Sequence, residues 1–346
     1  MDESTGGEYS VDPIKHPWAW RGAVHWQADG GRFVAWRIPS TQFHSFDTPR
    51  LIELARMAAG VRFKVETDAD WIEAEILAGE GSTSPVDVIV DGILHSRIPI
   101  SRPTRVRVSL PAGVHRVELW LPQFGEIAVG PVRLAGAARV VPVQDGLRWA
   151  AYGSSITQCR EAHGPSDTWP AWIDRFLGWS HTNLGFAGQC HLDPPARRTL
   201  ATADVELLLA CIGINIYEAS TFGPRGLAAQ LGGFLVDLAT VQPDLPIVLV
   251  SPIPSPSREN RANSVGLTLA EVRKIVEDVG RTLASGRSRF SWISGPELLG
   301  HDEAADLLPD GLHPAQEGML VIAERLSSRL GSVTLHHRPR LHDVIE

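Results

Sequence analysis

The spacing of hydrophobic residues changes near residue 147. Before that point, apolar and polar residues alternate over short segments bounded by Gly and Pro, which is typical of half-buried β-strands. After it, continuous apolar segments alternate with segments whose apolar residues recur three or four positions apart, the spacing of one helical face. The 346 residues suffice for two domains with ordinary cores. We therefore expect an all-β domain followed by an α/β domain.

The first domain is predicted to be an antiparallel β-sandwich, jelly-roll-like, over residues 15–142, with residues 1–14 as a flexible tail. We expect it to serve as an accessory or substrate domain. Its clearest strands share a regular apolar–polar alternation and begin at Val61, Ile72, Val86, Val106 and Val117. In the first of these strands, Arg62 and Lys64 occupy the polar positions. The dipeptide Asp91-Gly92 after the third strand predicts a hairpin turn.

The second domain is predicted over residues 147–330, with residues 331–346 as a C-terminal tail. Strand and helix alternate five times, which favours a parallel sheet covered by helices on both faces. Asp167 is the expected N-cap of the first long helix and Gly178 its stop, and Thr268 to Glu271 form a capping box for a later helix. The predicted strands lie at 147–152, 181–184, 205–212, 247–250 and 290–293.

Composition narrows the possible functions. A net charge of −8 with scattered arginines argues against a broad nucleic-acid-binding surface. The longest apolar segment, 205–212, is far shorter than the roughly 20 residues that span a bilayer. The start, Met1 to Ser4, lacks the features of a secretory signal peptide, and three cysteines without a Cys-x-x-Cys pair fit a reducing compartment. We therefore expect a cytoplasmic protein without a membrane or nucleic-acid partner.

Four short motifs occur in a fixed order, the first three after predicted strands and the fourth before a predicted helix. Ligands of parallel sheets bind beyond the carboxyl ends of the strands, where the first three motifs fall. The motifs are Gly153-Ser154-Ser155-Ile156-Thr157, Gly188, Gly213-Ile214-Asn215 and Asp310-Gly311-Leu312-His313-Pro314.

The motifs together supply the groups that acyl transfer by a serine requires. Ser155, at a strand-to-helix junction, is the candidate nucleophile, and His313 is the base that takes its proton. Asp310, three residues before His313, is placed to hold one ring nitrogen while the other faces Ser155. The N–H groups of Ser155 and Gly188 and the side-chain amide of Asn215 are the candidate oxyanion donors.

Each residue also has an ordinary structural interpretation. Ser155 suits a helix N-cap, Gly188 a turn, and Asn215 an Asx-turn at the end of a strand. Asp310 suits the cap of a helix that begins near His313. The occurrence of all four motifs in order favours the catalytic interpretation.

Through these motifs the chain resembles the SGNH or GDSL-type serine hydrolase family, in the two-domain branch with an N-terminal β-sandwich. The family's four blocks correspond to residues 153–157, 183–188, 213–215 and 310–313. The resemblance implies a flavodoxin-like three-layer α/β/α domain, an acyl-serine intermediate and no metal. Ser154 stands where most members have Asp, but the two-domain branch also uses Gly-Ser-Ser-Ile-Thr. Ile216 stands where Asp usually follows the asparagine.

The resemblance leaves the substrate open. The family mostly cleaves esters, and some two-domain members resemble acyltransferases of antibiotic pathways. The arrangement of this chain resembles that of salicylyl acyltransferases of tetracycline-type antibiotic biosynthesis. We expect an acyltransferase that moves an acyl group from acyl-CoA to a hydroxyl of a small-molecule natural product. One alternative is a carboxylesterase or deacetylase acting on esters of a sugar or metabolite. Another is a catalytically silent glycan-binding protein whose β-domain tryptophans stack on sugars, although packing is the commoner role of such rings.

Arg258 and Arg261 are weaker candidates for substrate binding. They lie in the long polar segment 255–266 after the fourth strand, where substrate loops are common, and could contact a CoA phosphate or simply be solvated. No resident cofactor is expected. His336, His337 and His342 cluster without a ligand pattern, so no metal site is predicted. The oligomeric state is not specified by the sequence.

Overall fold

The protein is described by a computed structural model that covers residues 7–337 except 45, 47, 102, 287 and 288, with side chains up to residue 331. The N-terminal part encloses one apolar core between two sheets. The C-terminal part has apolar cores on both faces of a third sheet. No helix within the described ranges is long and apolar enough to cross a membrane.

The N-terminal domain contains thirteen strands and one helix among the described residues. The strands are β1 (Gly7–Val11), β2 (Trp20–Arg21), β3 (His25–Asp29), β4 (Arg32–Trp36), β5 (Arg62–Thr67), β6 (Trp71–Ala78), β7 (Val86–Val90), β8 (Ile93–Ile98), β9 (Thr104–Ser109), β10 (His115–Trp120), β11 (Ile127–Val129), β12 (Val132–Ala137) and β13 (Val140–Pro142), and the helix is α1 (Pro49–Ala55). One sheet has the order β1-β12-β6-β11-β4-β3, with β9 also paired to β6. The other has the order β13-β5-β10-β7-β8, with β2 also paired to β5.

The predicted β-sandwich is confirmed, and the five clearest alternating segments are β5, β6, β7, β9 and β10. Asp91 and Gly92 join β7 to β8 with φ of 50° and 83°. Both values lie in the left-handed region that a two-residue type I′ hairpin turn requires.

Both predicted tails are partly wrong. Within residues 1–14, β1 pairs antiparallel with β12. Four of the five β1 residues are exposed, and only Tyr9 and Val11 supply an apolar alternation, which is too short to identify a strand from the sequence. At the other end, the last helix, Gln316–His337, continues past residue 331. Residues 1–6 and 338–346 lie outside the described part of the chain.

The C-terminal domain is built on five parallel strands: β14 (Arg148–Gly153), β15 (Ser180–Gly185), β16 (Leu207–Cys211), β17 (Ile247–Val250) and β18 (Phe290–Ile293). Their order is β15-β14-β16-β17-β18. The helices are α2 (Ser155–Gln158), α3 (Trp169–Leu177), α4 (Pro194–Ala201), α5 (Ile214–Glu218), α6 (Pro224–Val241), α7 (Leu269–Gly286), α8 (Gly295–Leu298), α9 (Ala304–Leu307) and α10 (Gln316–His337). This is the expected flavodoxin-like order, and its ligand-binding switch point lies between β14 and β16.

The helix signals were correct except at one cap. Gly178 ends α3 with a φ of 69°. The Thr268–Glu271 capping box is present, since each residue's backbone N–H donates to the other's side chain at 2.8 and 3.2 Å. Asp167 does not cap α3. A 3-10 turn occupies Pro165–Asp167, and Thr168, the extended residue directly before the helix, is the N-cap. The Asp167 carboxylate pairs instead with an arginine of the sandwich.

The two domains join along β15, the edge strand of the parallel sheet. Arg62 Nη1 donates a hydrogen bond to the carbonyl oxygen of His181 at 3.2 Å. Arg37 Nη1 donates to the carbonyl of Asn183 at 3.1 Å and to that of Gly185. A sheet edge presents unpaired backbone groups, and here two arginines of the sandwich satisfy the outward carbonyls of alternate residues.

A buried charge network reinforces this junction. Arg62 Nη2 lies 2.9 Å from Asp174 Oδ2, and His181 Nδ1 lies 2.7 Å from the same oxygen. Burial would raise the pKa of Asp174, but His181 and Arg62 hold it below its ordinary value. Arg62 and Lys64, the polar positions of β5, are both buried, and Arg62 is covered by the second domain. Lys64 is buried in its own ion pair with Asp145, at 2.7 Å.

Replacing Arg62 should weaken both the fold and the domain junction. Arg62→Met leaves the buried Asp174 carboxylate without its guanidinium partner, which we expect to cost about 3–5 kcal/mol. Urea unfolding followed by tryptophan fluorescence measures the loss. Arg105→Met is the matched control, because the Arg105 side chain is 72% exposed on the sandwich surface and should change stability by less than about 1 kcal/mol. Equal stabilities of the two variants would contradict this account of the junction.

Candidate active site

Ser155 is the first residue of α2, directly after β14. The cap is Ser154, whose Oγ accepts the Ile156 N–H at 3.2 Å, so Ser155 is not the N-cap. A Cβ on Gly153 would lie 2.1 Å from the Thr157 hydroxyl oxygen, which is why this turn requires glycine. The tight turn leaves the half-buried Ser155 at the carboxyl end of β14, with its N–H free of intrahelical acceptors.

The structure brings His313 and Asp310 to this serine. His313 Nε2 lies 2.9 Å from Ser155 Oγ, and His313 Nδ1 lies 2.6 Å from Asp310 Oδ2. Asp310 Oδ1 accepts the backbone N–H groups of Leu312 and His313 at 2.9 and 2.7 Å. The alternative role of Asp310 as a helix cap does not hold, since α10 begins only at Gln316.

The environment of Asp310 keeps its carboxylate ionised. Partial burial would raise its pKa, but the His313 N–H, the imidazole and the Leu312 N–H together lower it to about 2. An ionised carboxylate at Nδ1 orients the imidazole so that Nε2 faces the serine hydroxyl as the acceptor for its proton.

Asn215 lies in the first turn of α5, directly after β16, and is 7% exposed. Its Oδ1 accepts the Cys190 N–H at 3.1 Å, a bond across to the loop after β15 rather than an Asx-turn within its own segment. This bond orients the amide and leaves Nδ2 available as a donor. The preceding Gly213 has a φ of 135°, and a Cβ there would lie 2.5 Å from Pro252 Cγ, so only glycine fits.

Gly188 lies in the loop after β15, with a φ of 70°. The Phe186 N–H donates to the Gly153 carbonyl at 2.8 Å, which ties the start of the loop to the nucleophile turn. His191 Nε2 lies 2.9 Å from the Gly188 carbonyl, and His191 Nδ1 lies 2.8 Å from the Thr221 hydroxyl. The three candidate oxyanion donors thus follow three adjacent strands, β14, β15 and β16. Sequence reasoning did not identify His191, because no local pattern marks its contact with Gly188.

The segment 255–266 forms a polar loop beside the triad. Its first residue, Ser255, donates its hydroxyl to the Gly311 carbonyl at 2.6 Å. Farther along, the Tyr217 hydroxyl donates to the Arg261 carbonyl at 2.8 Å. Arg258 Nε pairs with Glu218, whereas the Arg261 side chain is exposed.

A mainly apolar pocket lies next to the nucleophile turn and the histidine loop, lined in part by Ile156, Ile214 and Leu312. These residues neighbour Ser155, Asn215 and His313 in sequence. The pocket therefore adjoins the candidate chemistry and has the character to accept a hydrocarbon group.

The cysteines are not competing nucleophiles. Burial raises the thiol pKa of Cys159 and Cys190 well above the ordinary value, and that of Cys211 to about 12. A thiol with a raised pKa is inert at neutral pH. Among the described residues, no group of three His, Cys, Asp or Glu side chains is arranged for a metal. The side chains of His336, His337 and His342 lie outside the described residues.

Comparison with known families divides the chain as the structure does. Residues 148–330 match the family described as GDSL-like Lipase/Acylhydrolase. Residues 18–129 match the family described as SsfX3, N-terminal domain. A comparison with curated protein sequences finds no match.

Solved structures similar to the chain include a salicylyl-acyltransferase, SsfX3, from a tetracycline biosynthetic pathway. It is 27% identical, with 97% of this chain and 99% of that chain covered and a TM-score of 0.84. A family two carbohydrate esterase from Cellvibrio japonicus is 14% identical, with 95% and 98% covered and a TM-score of 0.64. The acetyl xylan esterase Est2A from Butyrivibrio proteoclasticus is 10% identical, with 97% and 100% covered and a TM-score of 0.64. The two esterase likenesses show the fold alone.

The match over 148–330 covers more than half of the chain and includes all four motifs. The chain therefore belongs to the GDSL-like lipase/acylhydrolase family.

Proposed function

We propose that the chain catalyses acyl transfer through a covalent acyl-enzyme on Ser155. The observation that carries the proposal is the continuous hydrogen-bond chain from Ser155 Oγ to His313, at 2.9 Å, and from His313 to Asp310, at 2.6 Å. A serine hydroxyl becomes a useful nucleophile only when a base takes its proton. Membership of an acylhydrolase family supports the same chemistry.

In the first half-reaction His313 Nε2 accepts the Ser155 proton while Oγ forms a bond to the acyl carbonyl carbon. Negative charge then develops on the carbonyl oxygen, within the proposed reach of the Ser155 and Gly188 N–H groups and the Asn215 amide. Collapse of the tetrahedral intermediate breaks the bond to the leaving group, which takes the proton from His313. The second half-reaction repeats these steps with an incoming hydroxyl, which releases the acylated product and restores Ser155.

We propose further that the incoming hydroxyl belongs to a small-molecule natural product and that acyl-CoA is the donor. The support is the likeness to the salicylyl-acyltransferase, which extends over both domains at 27% identity. The exposed Arg261 is the candidate contact for a donor phosphate. Arg258 would have to exchange its present partner, Glu218, to take the same role.

Hydrolysis is the alternative, and it differs only in the second nucleophile. The esterases of the same fold favour it by analogy alone. A carboxylesterase or deacetylase would use the same triad, with water attacking the acyl-serine.

A catalytically silent glycan-binding protein is the least supported alternative. The sandwich domain carries six tryptophans that could stack on sugars, Trp18, Trp20, Trp26, Trp36, Trp71 and Trp120. Three of them, Trp20, Trp36 and Trp120, are buried. The Trp71 ring is covered by the Arg107 guanidinium, 4.0 Å from the ring centroid. A sugar needs an accessible ring face for stacking. The three buried rings offer none, and the guanidinium occupies one face of Trp71.

Intact-protein mass spectrometry after mixing with aryl esters and acyl-CoA thioesters should detect an acyl adduct that Ser155→Ala abolishes. We expect that variant to lose about 10⁴-fold or more in turnover, because it removes the attachment point. Ser285→Ala, on the exposed side of α7, is the control and should form the adduct normally. An adduct that persists until an alcohol is added indicates a transferase, and one that decays in water indicates a hydrolase. Near-normal turnover by Ser155→Ala would refute the serine mechanism.

Variants of His313 and Asp310 should lose activity to an extent that reflects the chemical role of each residue. His313→Ala removes the base and should be about as severe as Ser155→Ala. Asp310→Ala should be milder, because a backbone carbonyl or water can replace part of the orientation. Asp310→Asn should be worse than Asp310→Ala, since its amide N–H opposes the N–H of the productive tautomer. Steady-state kcat/KM measures the order, and wild-type rates for Asp310→Ala would remove Asp310 from the mechanism.

A further inference from the structure

Gln158, the last residue of α2, is buried at 1% exposure, and the mechanism above does not use it. Its side-chain amide makes hydrogen bonds in two directions. Oε1 accepts the Ala187 N–H at 3.1 Å, directly before Gly188. Nε2 donates to the carbonyl of Gln123 at 3.2 Å and contacts Met57 Sδ at 3.4 Å, both in the N-terminal domain.

The N-terminal partner of Gln158 is itself fixed. The Gln123 N–H donates to Ser84 Oγ at 2.8 Å within the sandwich. The Gln123 amide nitrogen lies 3.3 Å from the carbonyl of Ala162 in the second domain. Gln123 is fully buried. Gln158 is therefore hydrogen-bonded to a buried segment of the sandwich that also contacts the second domain.

The loop that carries Gly188 depends on outside contacts for its geometry. Glycine has no side chain to restrict its backbone, and Gly188 adopts a positive φ. Phe186 is tied to Gly153, Ala187 to Gln158, and Cys190 to Asn215. The bond at Ala187 fixes the peptide immediately before the one that carries the Gly188 N–H.

We propose that Gln158 is a positioning residue through which the sandwich domain sets the direction of the Gly188 N–H donor. This inference rests on the proposed function, because it assigns Gln158 an effect on the oxyanion of the acyl-transfer transition state. Hydrogen-bond donors to an oxyanion act only when held at the position where charge develops. Without the Ala187 bond, the peptide before Gly188 loses one of the contacts that hold this donor in place.

Two substitutions separate positioning from simple packing. Gln158→Met keeps the length of the side chain and removes both hydrogen bonds. Gln158→Glu retains an acceptor for Ala187 and, because burial favours a neutral carboxyl group, also a donor for Gln123. Gln242→Met is the control for loss of a structural amide, since Gln242 Nε2 bonds the carbonyls of Leu200 and Ala203 in the second domain.

The kinetic test uses the full chain and an aryl ester. We expect Gln158→Met to lower kcat about 10- to 100-fold and to change KM by less than about threefold. The decrease in kcat should not exceed the decrease caused by complete loss of one oxyanion donor. Gln158→Glu should recover most of the wild-type kcat. Gln242→Met should lower stability without a change in the kcat of the folded fraction. A wild-type kcat for Gln158→Met, or a decrease explained by its unfolded fraction, overturns the proposal.

Hydrogen–deuterium exchange supplies a readout that does not depend on serine chemistry. Peptides covering 186–193 should exchange faster in Gln158→Met than in the wild type, and Gln242→Met should leave them unchanged. Unchanged exchange in Gln158→Met overturns the anchoring role. If the wild type forms no Ser155 adduct while this exchange still increases, the proposed function fails and the anchoring of the loop by Gln158 stands.

Discussion

The arrangement of the two domains depends on the hydrogen bonds that Arg37 and Arg62 donate to the outward carbonyls of β15, the edge strand of the parallel sheet. An exposed edge of a parallel sheet is costly and prone to wrong pairing. Here the carbonyls of His181, Asn183 and Gly185 accept guanidinium N–H groups from the sandwich. The sandwich is therefore part of the structure of the catalytic sheet. The same strand leads directly into the loop that carries Gly188, so the junction also sets where that loop begins.

Arg37 illustrates how a buried cation is stabilised without a carboxylate partner. It is fully buried, and its guanidinium donates to the carbonyls of Leu54 and Met57 as well as to those of β15. The group also lies over the Phe186 ring, 4.7 Å from its centroid. Burial lowers the pKa of Arg37 to about 9, so it remains charged at neutral pH. Charge–dipole bonds to several carbonyls offset part of the desolvation cost, and two of these carbonyls, those of Asn183 and Gly185, are within reach only while the two domains stay together.

The sequence predicted the features that local residue patterns encode. It did not predict the features that depend on contacts between the two domains. Strand alternation, the Thr268 capping box and the order of the four motifs are local signals, and the structure brings Ser155, His313 and Asp310 into contact. The burial of Arg62 could not be anticipated, because an arginine alternating with apolar residues has the same pattern on a solvated face as on a covered one. Gln158 gave no signal either, since an amide acts through partners more than 25 residues away in the chain.

In the proposed mechanism, hydrolysis and transfer differ at one part of the fold. In the proposed mechanism, acylation and deacylation pass through tetrahedral intermediates that use the same oxyanion donors, so a change in those donors slows both half-reactions. The two outcomes differ in what reaches the acyl-serine while His313 Nε2 is free to accept a proton. The segment 255–266 lies beside that position and is joined to the histidine loop by the Ser255–Gly311 hydrogen bond. Because exclusion of water favours transfer over hydrolysis, the proposed mechanism makes this segment, rather than the oxyanion hole, the place to test which second nucleophile is used.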